Sequence, residues 1–450
     1  MKKKLGSVLV GMSLLAGLMA GCGSSTDNNP APSPTPSEGN GNGAAPVEEV
    51  VLRVAHWLPS SEMSPIIDAY EKSHAGVKID YVELSDSGDS VAGMQKLDLL
   101  VASGEKLDVT FMPGATDYSQ RAGLGLLASL NEMIAAEGID LNGTYLLDPS
   151  IDGTVYALPD TLENYFVLLN KDMLDAAGLE VPTDWTWDEY LDYAQKLTTG
   201  TGAAKVYGTY FHTWPMYWQL AQINQMKANN LYTDGKQNVD SPEIRLSLEL
   251  RSKGEKAGTA TPYADTISQK LAYRSEFFSK RAAMIVTGNW MIKEAGGSEQ
   301  FPASFTTAFA PMPSNGEGQP SGVSIANGNF AAILDKSANK QAAYDFIRWH
   351  STEGGELKNV YSAWKEQDAD QYINGVKSHA LSPDLIDEAS LTYVMKHFQA
   401  APLNVPPAYQ AQLEQAYTAQ TELFILGQQD LETTITKTTT EVQAIVDANQ

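Results

Sequence analysis

Apolar positions along this chain fall into short unbroken runs separated by stripes at helical spacing. "VVLRVAHWLP", Val50 to Pro59, is apolar and β-branched and predicts a buried strand. In "SSEMSPIIDAYEKSHAG", Ile66, Ile67 and Tyr70 recur at helical spacing, Ser64 is placed to cap, Pro65 suits a first turn, and Gly76 ends the helix. "VKIDYVEL" alternates as a second strand. "SVAGMQKLDLLVASGE" lines Val91, Met94, Leu97, Leu100 and Val101 along one helical face, and "LDVTFM" is a third strand. This order of strand, helix, strand, helix, strand predicts a parallel α/β sheet with right-handed crossovers.

The rhythm returns further on. "YFVLLNKDML" reads as strand into helix, and "TDWTWDEYLDYAQKL" carries a capping box, Thr186 with Glu189, ahead of an apolar helix face. "AAMIVTG" and "FAAIL" predict further buried strands, and the stretch from about Pro407 onward is helical. "PMPSNGEGQPSG" is a connecting loop that predicts an interdomain crossing. No internal repeat is present.

The first 46 residues follow neither pattern. Lys2, Lys3 and Lys4 precede about sixteen mostly apolar residues, Leu5 to Ala20, which is a secretory signal pattern over residues 1–21. The run is short for a helix that must cross about 30 Å of hydrocarbon. Met19-Ala20-Gly21-Cys22 resembles the bacterial lipobox, in which the cysteine is lipidated and becomes the new N-terminus. Cys22 is the single cysteine of the chain, so no disulfide forms and core burial must supply the stability. Residues 23–46 are Gly, Ser, Asn, Pro and Thr with little to bury, a composition that stays extended and serves as a tether. The membrane is therefore expected as a partner only through the lipid, with the body on the extracytoplasmic side, at the cell surface or in the periplasm.

Some 400 residues remain, which predicts two domains. The net charge of the whole chain is -24, and the chain without residues 1–21 loses three lysines and no acid, leaving -27. Such a surface repels phosphate backbones, so no nucleic-acid partner is expected. Standard catalytic signatures are missing: there is no HExxH, the six histidines are scattered, and "GVSIA" around Ser324 lacks the second glycine of a nucleophile elbow. Gly235-Lys236 is followed by Gln237 and lacks the upstream glycine of a phosphate loop. "GLGLLA", Gly123 to Ala128, formally fits a dinucleotide fingerprint but follows no strand. "DADQYING" at Asp368 has the wrong spacing for a calcium loop. No cofactor or metal is expected. Paired carboxylates for glycoside hydrolysis stay open, because 55 acidic residues give no positive signal and no exclusion.

Aromatic clustering is the positive signal. "YFHTWPMYWQLAQ" packs Tyr210, Phe211, His212, Trp214, Tyr217 and Trp218 together, "TGNWM" places Trp290 after Gly288, and "AHWLP" places His56 and Trp57 at the carboxyl end of the first strand. Ligands of open α/β sheets bind at that end. Flat apolar faces rimmed by amides and carboxylates suit sugar rings.

Five segments, in order, resemble the extracellular solute-binding proteins of family 1, the sugar-binding lipoproteins of ABC transporters. They are "VASGEKLDVTFMPG", with Leu107 where proline is usual; "GLLASLNEMI"; "YALPDTLENYFVLLNKDMLDAAGLEVPTDWTWDEY", with Leu169 where tyrosine is common; "FFSKRAAMIVTGNW"; and "GNFAAILDKSANKQAAYDFIRW". The resemblance implies an α/β, two-lobed periplasmic-binding-protein-like fold of type II with the ligand cleft between the lobes. Lobe one would take 47–160 and 313–353, and lobe two 161–312 and 354–450. It also implies a carbohydrate ligand, an ABC permease as partner, and no reaction. The site residues it implies are Trp57, Ser60 and Glu62 after the first strand, Gly114 and Asp117 after the third, Asp160 and Tyr165 at the first crossing, Tyr210 and Trp214, Asn289 and Trp290, Asn327 and Asn329 in the returning strand, and Trp364. "NVYSAWKEQDADQYING" departs from the family's Gly-x-Pro segment. Rival classes are a cell-surface enzyme acting on polysaccharide and a binding lipoprotein for a non-sugar solute such as a polyamine or peptide.

Overall fold

A computed structural model of the protein describes residues 49–225, 231–233, 235–299, 301–316, 318–358, 360–403 and 405–449. The signal, Cys22 and tether expectations lie outside the described residues. Two sheets organise the rest. The first is built from β1 (Val50–His56), β2 (Val77–Glu83), β3 (Val109–Met112), β4 (Ala157–Pro159) and a strand from late in the chain, Phe330–Ile333, in the order β2, β1, β3, Phe330–Ile333, β4. β1 pairs in parallel with β2 and β3, as the alternation of strands and helices predicts. Phe330–Ile333 runs antiparallel to both β3 and β4, so the sheet is mixed. This strand enters from the far body, against the direction that a helical crossover would impose.

Helices α1 (Ser60–Ser73), α2 (Ser90–Ala102) and α3 (Ala115–Gly123) follow the first three strands. α1 begins one turn earlier than expected, and Pro65 sits in its second turn, not its first. Proline leaves the Ser61 carbonyl without its helical donor, and both residues are exposed, so water can satisfy it. α2 buries Gly93, Met94 and Leu97, while Val91 faces solvent. Leu52, Val54, Phe111, Tyr118, Leu158, Phe330 and Phe346 form the core of this first body.

The second sheet contains β5 (Tyr165–Asn170), β6 (Tyr207–Tyr210), β7 (Ala282–Gly288) and β8 (Thr307–Pro311) in the order β8, β5, β7, β6. β5 is antiparallel to β8 and β7, and β6 is parallel to β7. Both faces are covered. Val167 and Leu169 of β5 pack with Trp185, Trp187, Tyr190 and Val286, and Phe166 and Leu168 pack on the other side with Phe277, Ile285 and Phe309. Burial on both faces explains why "YFVLL" carries no polar alternation. The C-terminal helices Gln410–Ile425 and Leu431–Ala448 pair through Leu413, Tyr417, Ile435 and Val442, and pack on Trp218, Ile244 and Leu248.

The Gly/Pro-rich loop after β8 is not the crossing between the bodies. It is stapled to the second one: Trp185 Nε1 donates to the Pro311 carbonyl at 2.8 Å, and Trp187 Nε1 to Asn315 Oδ1 at 3.1 Å. Beyond residue 353, the turn Glu353–Lys358 packs on α1, and Ala363 lies in the first core. Ile325 packs with the second core, and Ala326 and Ala363 lie in the first. Among the described residues no helix is long and apolar enough to cross a membrane.

Helix α4 (Trp187–Leu197) starts with the expected capping box: the Thr186 side chain accepts from the Glu189 amide, and the Glu189 carboxylate accepts from the Thr186 amide. Thr186→Ala should cost about 1 kcal/mol of stability in urea titration.

Candidate functional site

Among the described residues, three chain segments cross side by side between the two cores. The first leaves β4 as 160–164, the second returns as 326–329, and the third is 360–364. Their main chains pair. The Glu163 amide donates to the Asn327 carbonyl, the Asp160 amide to the Asn329 carbonyl, and the Leu162 amide to the Tyr361 carbonyl, each at 2.8 Å. Gly328 permits this contact, because a Cβ there would stand 1.8 Å from the Thr161 carbonyl oxygen.

Strand alternation decides which side chains of the first crossing share a face. Asp160 turns into the first core, while Glu163 and Tyr165 flank Asn327. The Asn327 amide donates weakly to Glu163 Oε2 at 3.4 Å, and its Oδ1 accepts from the Ala115 amide at 3.2 Å, at the start of α3. Gly114 leaves room for this side chain: a Cβ there would lie 3.3 Å from Asn327 Nδ2. Burial pushes the Glu163 carboxyl up to about 8, with no cation among the causes.

An aromatic wall rises from the second body beside this floor. The Tyr165 ring meets Trp290 edge-on at 5.6 Å between centroids, Trp290 lies 6.2 Å from Trp214, and Trp214 lies 4.8 Å from Tyr273. Trp290 and Trp214 are half-buried and touch both cores of the second sheet. Gly288 serves this wall by its lack of a side chain. Its φ is an ordinary -128°, and a Cβ would stand 2.1 Å from Trp290 Cζ3. The indole thus folds back over the end of β7.

Two compact α/β bodies joined by paired crossings, with an aromatic wall and a carboxyl-amide floor where they meet, suit capture of a small solute between lobes. The chain matches the bacterial extracellular solute-binding protein family over residues 57–356. It belongs to that family.

Solved structures agree on the fold. An ABC substrate-binding protein from Listeria monocytogenes, in complex with cycloalternan, is similar with a TM-score of 0.73 at 18% identity, over 89% of this chain and 99% of that one. A sugar transporter protein from Rhizobium etli in an open conformation gives 0.68 at 24% identity, over 88% and 99%. The cyclic alpha-maltosyl-1,6-maltose binding protein from Arthrobacter globiformis gives 0.66 at 23% identity, over 89% and 100%.

Within this solute-binding protein the fourteen expected site residues divide. Gly114, Tyr165, Trp214, Trp290 and Asn327 come together as described. Asn329 lies at the same crossing, its amide donating to Thr161 Oγ1 at 2.9 Å. Asn289 stands beside the wall but is almost fully buried, and its Nδ2 is committed to the Leu162 carbonyl at 2.7 Å. Ser60 caps onto Glu83 through both its amide and its hydroxyl. Glu62 pairs with Lys293 at 3.1 Å. Asp117 is held 2.9 Å from Arg121 on α3, and Trp364 is half-exposed in a bridge to Tyr145. Neither is joined to the aromatic wall by a described contact.

Three of the expected residues are enclosed by the cores. Trp57 is 6% exposed and belongs to the first core, where Gly93 of α2 makes room for it: a Cβ at Gly93 would lie 2.6 Å from Trp57 Cβ. Tyr210 is fully buried, its hydroxyl 2.8 Å from His212 Nδ1 and donating to the Leu271 carbonyl at 3.1 Å. Asp160 is 2% exposed and ion-paired, with Oδ1 at 2.5 Å from Lys358 Nζ and 2.8 Å from His350 Nδ1. Glu163 and Tyr273, which the sequence did not single out, stand in the same grouping, beside Asn327 and Trp214. Period-2 alternation was the available signal for Glu163, since choosing Tyr165 for the cleft selects Glu163 and rejects Asp160. Tyr273 carries no such local sign.

The buried network has a pH consequence. Burial alone would raise the Asp160 carboxyl, but the Lys358 ammonium and His350 hold it far below the carboxylate range. Burial, with nearby Lys358, lowers His350, and burial lowers His56 to about 3. Both histidines stay neutral when folded and take up protons when unfolded below about pH 6.5. Stability should therefore fall as pH drops from 7 toward 4, and further below about 4 as the unfolded state protonates Asp160. Thermal melting across that range checks the sign. Asp160→Asn should cost about 3–5 kcal/mol by leaving Lys358 buried without its charge partner. Solute affinity of the folded fraction should be retained, a result that a ligand-contacting Asp160 would not give.

Proposed function

We propose that this protein captures a carbohydrate, a mono- or oligosaccharide, in the cleft between its lobes and presents it chemically unchanged to the permease of an ABC importer. One observation carries the reading: two partly exposed indoles, Trp290 and Trp214, backed by the buried rings of Tyr165 and Tyr273, stand beside the carboxyl and amide groups of Glu163 and Asn327. Sugar rings present an apolar C–H face and a polar hydroxyl rim, and this pairing meets both. Structurally similar proteins bound to cycloalternan and named for a cyclic maltosyl-maltose support the class of ligand.

In this reading Trp290 and Trp214 stack on the sugar, Tyr165, Asn327 and Glu163 take its hydroxyls, and the Gly114 turn brings main chain close. Ser60, Asp117, Asn289, Asn329 and Trp364 form the surroundings. The lobes are 49–160 with 326–363, and 161–325 with most of 364–449. Closure follows because a ligand touching both lobes binds the closed arrangement better, and it shifts the population by that difference. Among the described residues no three His, Cys, Asp or Glu side chains are grouped to hold a metal ion, and the reading requires none. The chain is held on the extracytoplasmic face by lipid on Cys22.

Calorimetric titration with a panel of oligosaccharides tests the function, and Trp290→Ala tests the site. Loss of this platform should weaken the sugar that binds by about 30- to 1000-fold, the equivalent of about 2–4 kcal/mol. Unliganded stability should fall by no more than about 2 kcal/mol, because the Trp290 side chain is only partly buried against the cores. A large melting shift with unchanged affinity would return Trp290 to the core.

A second variant, Cys22→Ser, should release the protein from the membrane fraction without altering sugar affinity. Its acidic body has no electrostatic attraction to an anionic surface, so the lipid is the anchor. Retention of the variant on membranes after a salt wash would refute lipidation.

A further inference from the structure

Glu62 and Lys293 belong to different lobes. Glu62 lies in the first turn of α1, whose Tyr70 is buried in the first core. Lys293 lies in the short helix Ile292–Ala295, whose Ile292 and Ala295 are buried in the second. Lys293 Nζ stands 3.1 Å from Glu62 Oε2, with 36% and 45% of the two side chains exposed. Among the described residues, no other ion pair joins a helix on the first sheet to a helix on the second.

Among the described residues, the ion pair given to each of these charges is the other, across the lobes. Glu294, next to Lys293, gives both carboxylate oxygens to Arg274 Nε at 2.8 and 2.9 Å. Glu83, the acid nearest the start of α1, accepts from Ser60. The carboxylate of Glu62 also sits at the positive end of the α1 dipole, which favours its charge there. Lys293 follows Trp290 of the aromatic wall by three residues in sequence.

We propose that Glu62 and Lys293 are an electrostatic latch: they hold the two lobes together over the bound solute and set how long it stays, without contacting it. This rests on the cleft reading above. An exposed ion pair contributes little, so the latch should tune release and leave recognition to the wall and floor.

The test uses Glu62→Gln, Lys293→Gln, the double variant and the charge swap Glu62→Lys with Lys293→Glu, in the full chain. Stopped-flow release of a sugar that the wild type binds should quicken about 2- to 5-fold in each single variant. The double variant should be no faster than the singles, and the swap should return to the wild-type rate. At about 1 M salt, where screening acts within about 3 Å, the wild type should release as fast as the variants. Losses that add in the double variant would overturn the latch, because they would mean that each side chain meets the sugar independently. Unchanged release would overturn it as well.

A second readout needs no sugar. Spin labels at Leu99→Cys and Lys253→Cys, on exposed faces of opposite lobes, in a Cys22→Ser background, report the interlobe distance. The unliganded Glu62→Gln protein should show longer, broader distances than its parent, and the swap should restore them. Identical distributions would refute the latch. Should no sugar bind the wild type, the carbohydrate reading falls and these distances still decide whether the latch exists.

Discussion

The main-chain pairing of Glu163 with Asn327 is the contact on which the rest of this molecule depends. Through it the chain leaving the first sheet and the chain returning to it become one short ribbon, with the third crossing alongside through Leu162 and Tyr361. Backbone hydrogen bonds between crossings hold their register. The same register aims Glu163 and Tyr165 toward Asn327 and Asp160 away from it. Lobe connection and site geometry are therefore a single decision, made by which residue of one crossing faces which residue of the next.

One end of this ribbon is fixed by charge. Asp160, Lys358 and His350 are all but removed from water, and Lys358 Nζ also donates to the His350 carbonyl at 2.9 Å. Such buried pairs add little net stability compared with apolar residues of the same shape, yet removing one member leaves an uncompensated charge. Their effect here is positional: they tie the first crossing to the end of the helix Lys340–Ser351. The second lobe has no such tie at the crossings. It meets them through Asn289 and the aromatic wall, which are held by packing and by single hydrogen bonds.

Aromatic residues serve two ends in this chain, and the difference lies in what covers them. Trp57 and Tyr210 are as aromatic and as close to strand ends as Trp290, but α2 lies over one and His212 and Leu271 enclose the other. Trp290 is left half-open because Gly288 lets its ring fold back onto the strand end, beside Tyr165 and Trp214. The same side-chain chemistry gives an enclosed core residue in one place and a partly open ring in another, according to the size of a neighbour that is distant in sequence or, at Gly288, two residues away.

Local patterns were enough to read much of this protein. The unbroken β-branched runs became strands covered on both faces, the Thr186–Glu189 capping box opened its helix, and the ordered family segments foretold a two-lobed α/β fold. These features rest on nearest neighbours and on periodicity, which a sequence carries directly. Only the tertiary structure decided the antiparallel entry of Phe330–Ile333, the burial of Trp57, Tyr210 and Asp160, and the meeting of Glu62 with Lys293. Each of these depends on which distant segment lies alongside. The pairing of Glu62 with Lys293 spans 231 residues. Burial and ion pairing arise between surfaces that are brought together by the whole fold, and no local run of residues encodes which surface that will be.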